Sequence, residues 1–110
     1  MNVYHPRALA AGAVSARSDR PATALVHDAV DARVVLFRIE PGQEVPVHTS
    51  TSTVLLVVVA GSGTVTEADG DRPVSTGDIV AYAAQEPHGM RAAGEQLIIA
   101  AIIAPRPRER

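Results

Sequence analysis

Pro41-Gly42-Gln43-Glu44-Val45-Pro46-Val47-His48-Thr49-Ser50 is followed by Val54-Leu55-Leu56-Val57-Val58-Val59-Ala60-Gly61, then by Gly77-Asp78-Ile79-Val80 and Pro87-His88. Pro41-Gly42 stops the preceding apolar stretch, and Val45–Thr49 reads as a short strand interrupted by Pro46. Residues 54–60 are apolar without interruption, whereas a strand with one wet face alternates. Both faces of this strand therefore require cover. Successive side chains diverge, so Val54, Leu56 and Val58 share one face and Leu55, Val57 and Val59 the other.

Before this stretch, Ala22–His27 reads as a strand, Asp28–Asp31 as a turn and Arg33–Glu40 as a second strand. Beyond Gly61-Ser62-Gly63, taken as a bend, Thr64–Glu67 alternates. Asp69-Gly70 carries the signal of a tight hairpin, and Arg72–Ser75 returns as an edge-like strand because of Pro73. Ile79–Tyr82, His88–Ala92 and Gln96–Ala104 complete the set. Short strands with frequent turns indicate a sandwich or barrel. Residues 1–20 are read as an N-terminal arm, either a short helix or irregular, 21–104 as the barrel, and 105–110 as a frayed tail.

Composition narrows the classes. The chain of 110 residues is the size of one domain. Hydrophobic residues make up 46%, charged residues 20% and aromatics 3%, so the core is built from Val, Ile, Leu and Ala. A formal net charge of −2 indicates neither a nucleic-acid nor an anionic-membrane partner. Cysteine is absent, which excludes disulfides and thiolate chemistry. The longest apolar run, Leu97–Ala104, is too short to span a bilayer, and Ala8–Ala13 is too short and too weakly apolar for a secretory core. The expectation is a cytoplasmic protein.

The quoted stretch resembles the two signature motifs of the cupin superfamily over roughly residues 33–104. Gly42 is followed by five residues and His48. Ser50 then stands at the second histidine position of the first motif, and Val54 at its glutamate position, six residues before Gly61. In the second motif Gly77 and His88 match, while Ala83 replaces a proline, Gln85 a glycine and Ala92 an asparagine. The resemblance implies an all-β fold, a single cupin-like antiparallel β-barrel of jelly-roll type. It also implies a family metal site of three histidines and a glutamate, of which His48 and His88 remain. Such a site suits Zn(II), Ni(II), Mn(II) or Fe(II). Glu44, Glu86 and His5 are the candidate third donors, none at a position the family pattern selects.

Several readings of the pair stand side by side. His48 and His88 hold a divalent metal, or line a metal-free polar pocket, or are neutral and merely hydrogen-bonded. Ser50 and Ser52 fall on the His48 face if the strand stays regular, and Met90 falls on the His88 face. With Tyr82 they form the candidate ligand-binding set His48, Ser50, Ser52, Tyr82, His88 and Met90; plain core filling is the alternative for Met90 and for Tyr82. His5 and His27 read as surface histidines. A Ser50–His48 nucleophile lacks an orienting acid and an attack geometry. Three functions follow. They are a small-molecule-binding protein with a reduced or lost metal site, a metal-dependent enzyme of dioxygenase or isomerase type using His48 and His88, and a structural or partner-binding barrel.

The two-sided apolar strands also point to a homodimer, with a second copy or the N-terminal arm covering Leu55, Val57 and Val59. Burying a Val or Leu stabilises by roughly 1.5–3 kcal/mol. Val57→Asp should therefore split a dimer or sharply weaken it while leaving the histidine site intact. Light scattering at micromolar concentration reads the outcome, and a monomeric wild type would assign the cover to the arm.

Overall fold

The computed structural model describes residues 1–107. Among the described residues a short helix, α1 (Pro6–Ala11), precedes nine strands. These are β1 (Ala22–Asp28), β2 (Arg33–Ile39), β3 (Glu44–His48), β4 (Thr53–Ala60), β5 (Ser62–Glu67), β6 (Gly70–Ser75), β7 (Ile79–Tyr82), β8 (His88–Ala92) and β9 (Leu97–Ala104). They form a five-stranded sheet in the order β1-β2-β9-β4-β7 and a four-stranded sheet in the order β3-β8-β5-β6. Every pairing between these strands is antiparallel. The architecture is all-β and of jelly-roll type. The two sheets face one another without being joined by backbone hydrogen bonds into a closed barrel.

Local sequence accounts for the turns. The Asp28–Asp31 corner closes with Ala29 and Ala32 exchanging backbone hydrogen bonds at 2.9 and 3.3 Å. At Pro41-Gly42 the Gln43 amide donates to the Glu40 carbonyl at 2.9 Å. Ala68 and Asp69 form the two-residue link between β5 and β6, with Glu67 opposite Gly70. The sequence suggested a bend over residues 61–63. The structure confines it to Gly61 and resumes the strand at Ser62, because Gly63 pairs with both Val74 and Ala92. Both prolines within strands sit at sheet edges. Pro46 lies in the β3 irregularity between Val45 and His48, and Pro73 lies on β6, where a missing N–H is tolerated.

The core fills the space between the sheets. Ile39, Val54, Leu56, Val58, Leu97, Ile99 and Ala101 from the larger sheet meet Val65, Val74 and Met90 from the smaller. Strand β4 alternates as its sequence requires: Val54, Leu56 and Val58 are buried, and Leu55, Val57 and Val59 are half-buried. α1 packs against the larger sheet, with contacts to β1, β2, β4 and β9. Its last turn is held by Arg38, whose Nη1 donates to the carbonyls of Ala10, Ala11 and Ala13 at 2.7, 3.0 and 3.2 Å. One guanidinium thus satisfies carbonyls that the end of a helix leaves unpaired. Val14 bridges to Thr23 on β1, and the Gln43 side chain donates to the Ser18 carbonyl at 2.9 Å. Ile79, on the edge strand β7, is 68% exposed.

The segment after β9 is anchored at its start. Pro105 accepts from the Ser52 hydroxyl at 2.6 Å, and Arg106 pairs with Asp28 at 3.0 Å. Of the frayed tail expected at 105–110, Pro105 and Arg106 make these contacts, and 108–110 lie outside the described residues. No helix among the described residues is long and apolar enough to cross a membrane.

Candidate functional site

β3 and β8 are neighbours in the smaller sheet, and His48 is the direct cross-strand partner of His88. Their ring centroids are 4.1 Å apart with the planes at 61°. His48 is exposed at the end of β3, whereas His88 is buried. Each ring is fixed from behind in the same way. His48 Nδ1 lies 2.8 Å from the Pro46 carbonyl and His88 Nδ1 lies 3.0 Å from the Glu86 carbonyl, both two residues back along the chain. A carbonyl oxygen only accepts, so in each ring Nδ1 carries the hydrogen. In the neutral form Nε2 is then a bare acceptor.

Both rings line a cavity of about 390 Å³. Its apolar wall comes from Phe37 on β2, Val54 and Leu56 on β4, Met90 on β8, and Ala101 and Ile103 on β9. Its polar part is His48, His88 and the segment after β3, Thr49, Ser50 and Thr51. No arginine or carboxylate among the described residues lines it. Burial pushes the His88 pKa below the usual histidine value. The Glu86 carbonyl opposes this, the neighbouring His48 adds to it, and the Glu86 carboxylate again opposes it.

The lowered His88 pKa couples stability to pH. As pH falls through about 6.5, the unfolded chain takes up a proton at this position before the folded chain does. Stability is therefore full above that value and declines below it, down to the folded pKa. Urea unfolding of wild type and His88→Gln at a series of pH values should show a smaller acid-side loss in the variant. Parallel curves would remove His88 as a source of the loss.

The structure brings His48, Ser50, His88 and Met90 around one space and leaves Ser52 and Tyr82 out of it. Ser52 was expected on the His48 face of a regular strand. β3 instead ends at His48, and the chain bends over residues 51–52. Ser52 is consequently buried at 2% exposure with its hydroxyl on Pro105, away from the cavity. Ser50 stays at the cavity, its Oγ accepting from the Ser52 amide at 3.1 Å. Tyr82 is a wall behind His88, with ring centroids 5.1 Å apart. Its hydroxyl donates to the Thr66 carbonyl at 2.5 Å. Burial, reinforced by Glu86 and Glu67, raises its pKa.

None of the candidate third donors joins the pair. Glu44 borders a separate cavity of about 380 Å³ beneath the N-terminal arm, with Arg17 and Arg20. Glu86 accepts from the Ala83 amide at 3.0 Å and faces a polar cleft between β6 and β7. His5 precedes α1 as its N-cap residue. No group of three or more His, Cys, Asp or Glu among the described residues could hold a metal ion. Val54, at the glutamate position, is a buried hydrocarbon wall. The residues present do not make up the family's metal shell.

Phe37, Leu56, Ala101 and Ile103 were not foreseen as lining the site. Strand parity carried the signal: the inner rows 37/39, 54/56/58 and 97/99/101/103 converge once β2, β9 and β4 are placed side by side.

The model of the cupin domain family matches residues 35–103. The chain belongs to this family. Among solved structures, a double-stranded β-helix protein from Klebsiella pneumoniae superposes with a TM-score of 0.83 at 21% identity. That match covers 96% of this chain and 91% of the other. A protein from Thermus thermophilus gives a TM-score of 0.85 at 21% identity, covering 97% and 100%. An RmlC-like cupin from Desulfovibrio desulfuricans is 30% identical, with a TM-score of 0.75 and coverage of 86% and 91%. Comparison with curated proteins gives no match.

This cupin departs from its own signature in an informative place. Gln85, at the position of a motif glycine, is the one non-glycine residue described with positive φ, at 69°. Its amide donates to the Ser50 carbonyl at 2.7 Å and so ties the loop before His88 to the cavity's polar rim. A glycine holds this conformation without the Cβ penalty. Gln85→Gly is expected to raise stability by about 1 kcal/mol, read as a higher urea midpoint at unchanged slope. A lower midpoint would mean that the Gln85 side chain contributes more than the strain it brings.

Proposed function

We propose that this cupin binds a small organic molecule in the cavity floored by His48 and His88 and does so without a resident metal. The reading is carried by the donor set. Two imidazoles, each with Nδ1 on a backbone carbonyl, face a mostly apolar space of ligand-binding size, while a serine and a valine stand where two further metal ligands belong. Two imidazoles with water completing the shell hold a divalent ion weakly. Elemental analysis of protein purified without chelator should give well under one metal per chain, and added Zn(II), Ni(II), Mn(II) or Fe(II) should dialyse away. One tightly held ion per chain would overturn the reading.

That result would favour the alternative, a metal-dependent enzyme of dioxygenase or isomerase type. One observation supports this second reading. A histidine that ligates a metal through Nε2 characteristically donates its Nδ1–H to a carbonyl or carboxylate, as both rings do here.

A further inference from the structure

We propose that the cavity selects a neutral, hydrophobic-bodied molecule carrying adjacent hydrogen-bond donors, such as a vicinal diol, and rejects carboxylates. This rests on the metal-free binding function proposed above and specifies the ligand class.

Nδ1 of both rings is committed to a backbone carbonyl. Nε2 is therefore the remaining polar atom of each imidazole, and in the neutral ring it is a lone pair. The ring centroids are 4.1 Å apart and both rings border the same cavity, so one small group can meet both imidazoles. Neither can donate to the other, so the arrangement asks for donors from outside. Two hydroxyls on neighbouring carbons supply them in one rigid group.

A carboxylate meets the opposite situation. Its oxygens are acceptors only, and they would confront two lone pairs. The lining supplies hydroxyls from Thr49, Ser50 and Thr51 but no lysine or arginine among the described residues, so the charge of an anion is not offset. The Glu86 carboxylate, whose field acts on both His88 and Tyr82, further disfavours an anion. Phe37, Leu56, Met90 and Ile103 leave the rest of the ligand an apolar environment. The body is then a hydrocarbon ring or chain rather than a polyol hydroxylated throughout.

Three probes of one shape separate the classes: cis-1,2-cyclohexanediol, cyclohexanol and cyclohexanecarboxylate. Each is titrated into the full, ¹⁵N-labelled chain at about pH 8, where ordinary histidines are neutral, and followed by imidazole and amide shifts. The diol should bind about tenfold or more tighter than the carboxylate, with cyclohexanol between them, since one hydrogen bond is worth roughly a factor of ten. His48→Phe keeps a ring at an exposed position and removes one acceptor. In that variant the diol should weaken by about tenfold to the level of cyclohexanol, whose own affinity moves little.

Equal or tighter binding of the carboxylate, or a diol affinity unchanged in His48→Phe, would overturn the ligand class while leaving a binding pocket. No saturable binding by any probe would overturn the binding function and the class together. The free protein gives an independent check. Its imidazole ¹⁵N spectrum should show Nδ1 protonated and Nε2 bare in both rings, and the reverse tautomer in either would remove the premise.

Discussion

Ser50→His combined with Val54→Glu should raise the affinity for Mn(II) or Ni(II) over wild type by orders of magnitude. Both positions already border the His48/His88 cavity. The double variant therefore places three imidazoles and one carboxylate around one space, a donor set that suits these ions. The same change should make stability depend on metal. Val54 is 3% exposed within the core, and a carboxylate buried there without a partner destabilises by several kcal/mol. Bound ion neutralises it and stabilises the folded form by mass action. The metal-free variant should thus melt well below wild type and recover when Mn(II) or Ni(II) is added, whereas wild type should respond to neither. Calorimetric titration and thermal melts with and without chelator read both effects. Equal metal affinity in the two proteins would mean that positions 50 and 54 do not complete a shell around His48 and His88.

Gly61→Ala should be among the most destabilising single substitutions in the chain. Gly61 follows β4 with φ at +86°, and a Cβ there would fall inside the van der Waals radius of the Gln96 backbone carbonyl oxygen. Two penalties add: the left-handed backbone disfavoured for an L-residue, and a clash with main chain that cannot rotate away. The expected loss is about 3 kcal/mol or more, lowering the melting temperature by roughly 12–24 °C in a domain of this size. The β4 register shift between Val58 and Ala60 lies just before this point, so the damage should concentrate where β4 meets β9. A variant melting within a few degrees of wild type would show that the Gln96 backbone yields more easily than a packed sheet should.

Most of the fold was legible because the strands announce themselves by parity and by punctuation. The unbroken run 54–60 required a strand with two apolar faces, and Pro73 required an edge. Both statements depend only on period two and on a missing N–H. The location of the site was legible for the same reason. His48 and His88 are set by turns on either side, Pro41-Gly42 before one and the Pro87 loop before the other, and antiparallel pairing of β3 with β8 puts them opposite. The composition of the rim was harder to read. Ser52 depends on where β3 stops being regular, and nothing local to Thr49–Ser52 marks that point; the decisive contact is with Pro105, 53 residues away. Tyr82 was misplaced for a related reason. It shares the interior with His88 but fills the space behind the ring, and the side it takes depends on how the two sheets pack. The tautomers that define the site's chemistry arise from carbonyls two residues back along each strand, which spacing alone does not orient.

The placement of the two strand prolines bears on what this molecule can do in a crowded solution. An open sheet edge is a template onto which another extended chain can add, and runaway addition is how β proteins form fibrils. The smaller sheet has proline in each of its outer strands, Pro46 in β3 and Pro73 in β6, so neither offers an unbroken ladder. In the larger sheet the outer side of β1 is engaged at Thr23 by Val14 from the arm. That leaves β7, only four residues long, as the free edge among the described strands. In a chain this rich in valine and isoleucine, two prolines, one bridge and one short strand are the features that limit templated growth.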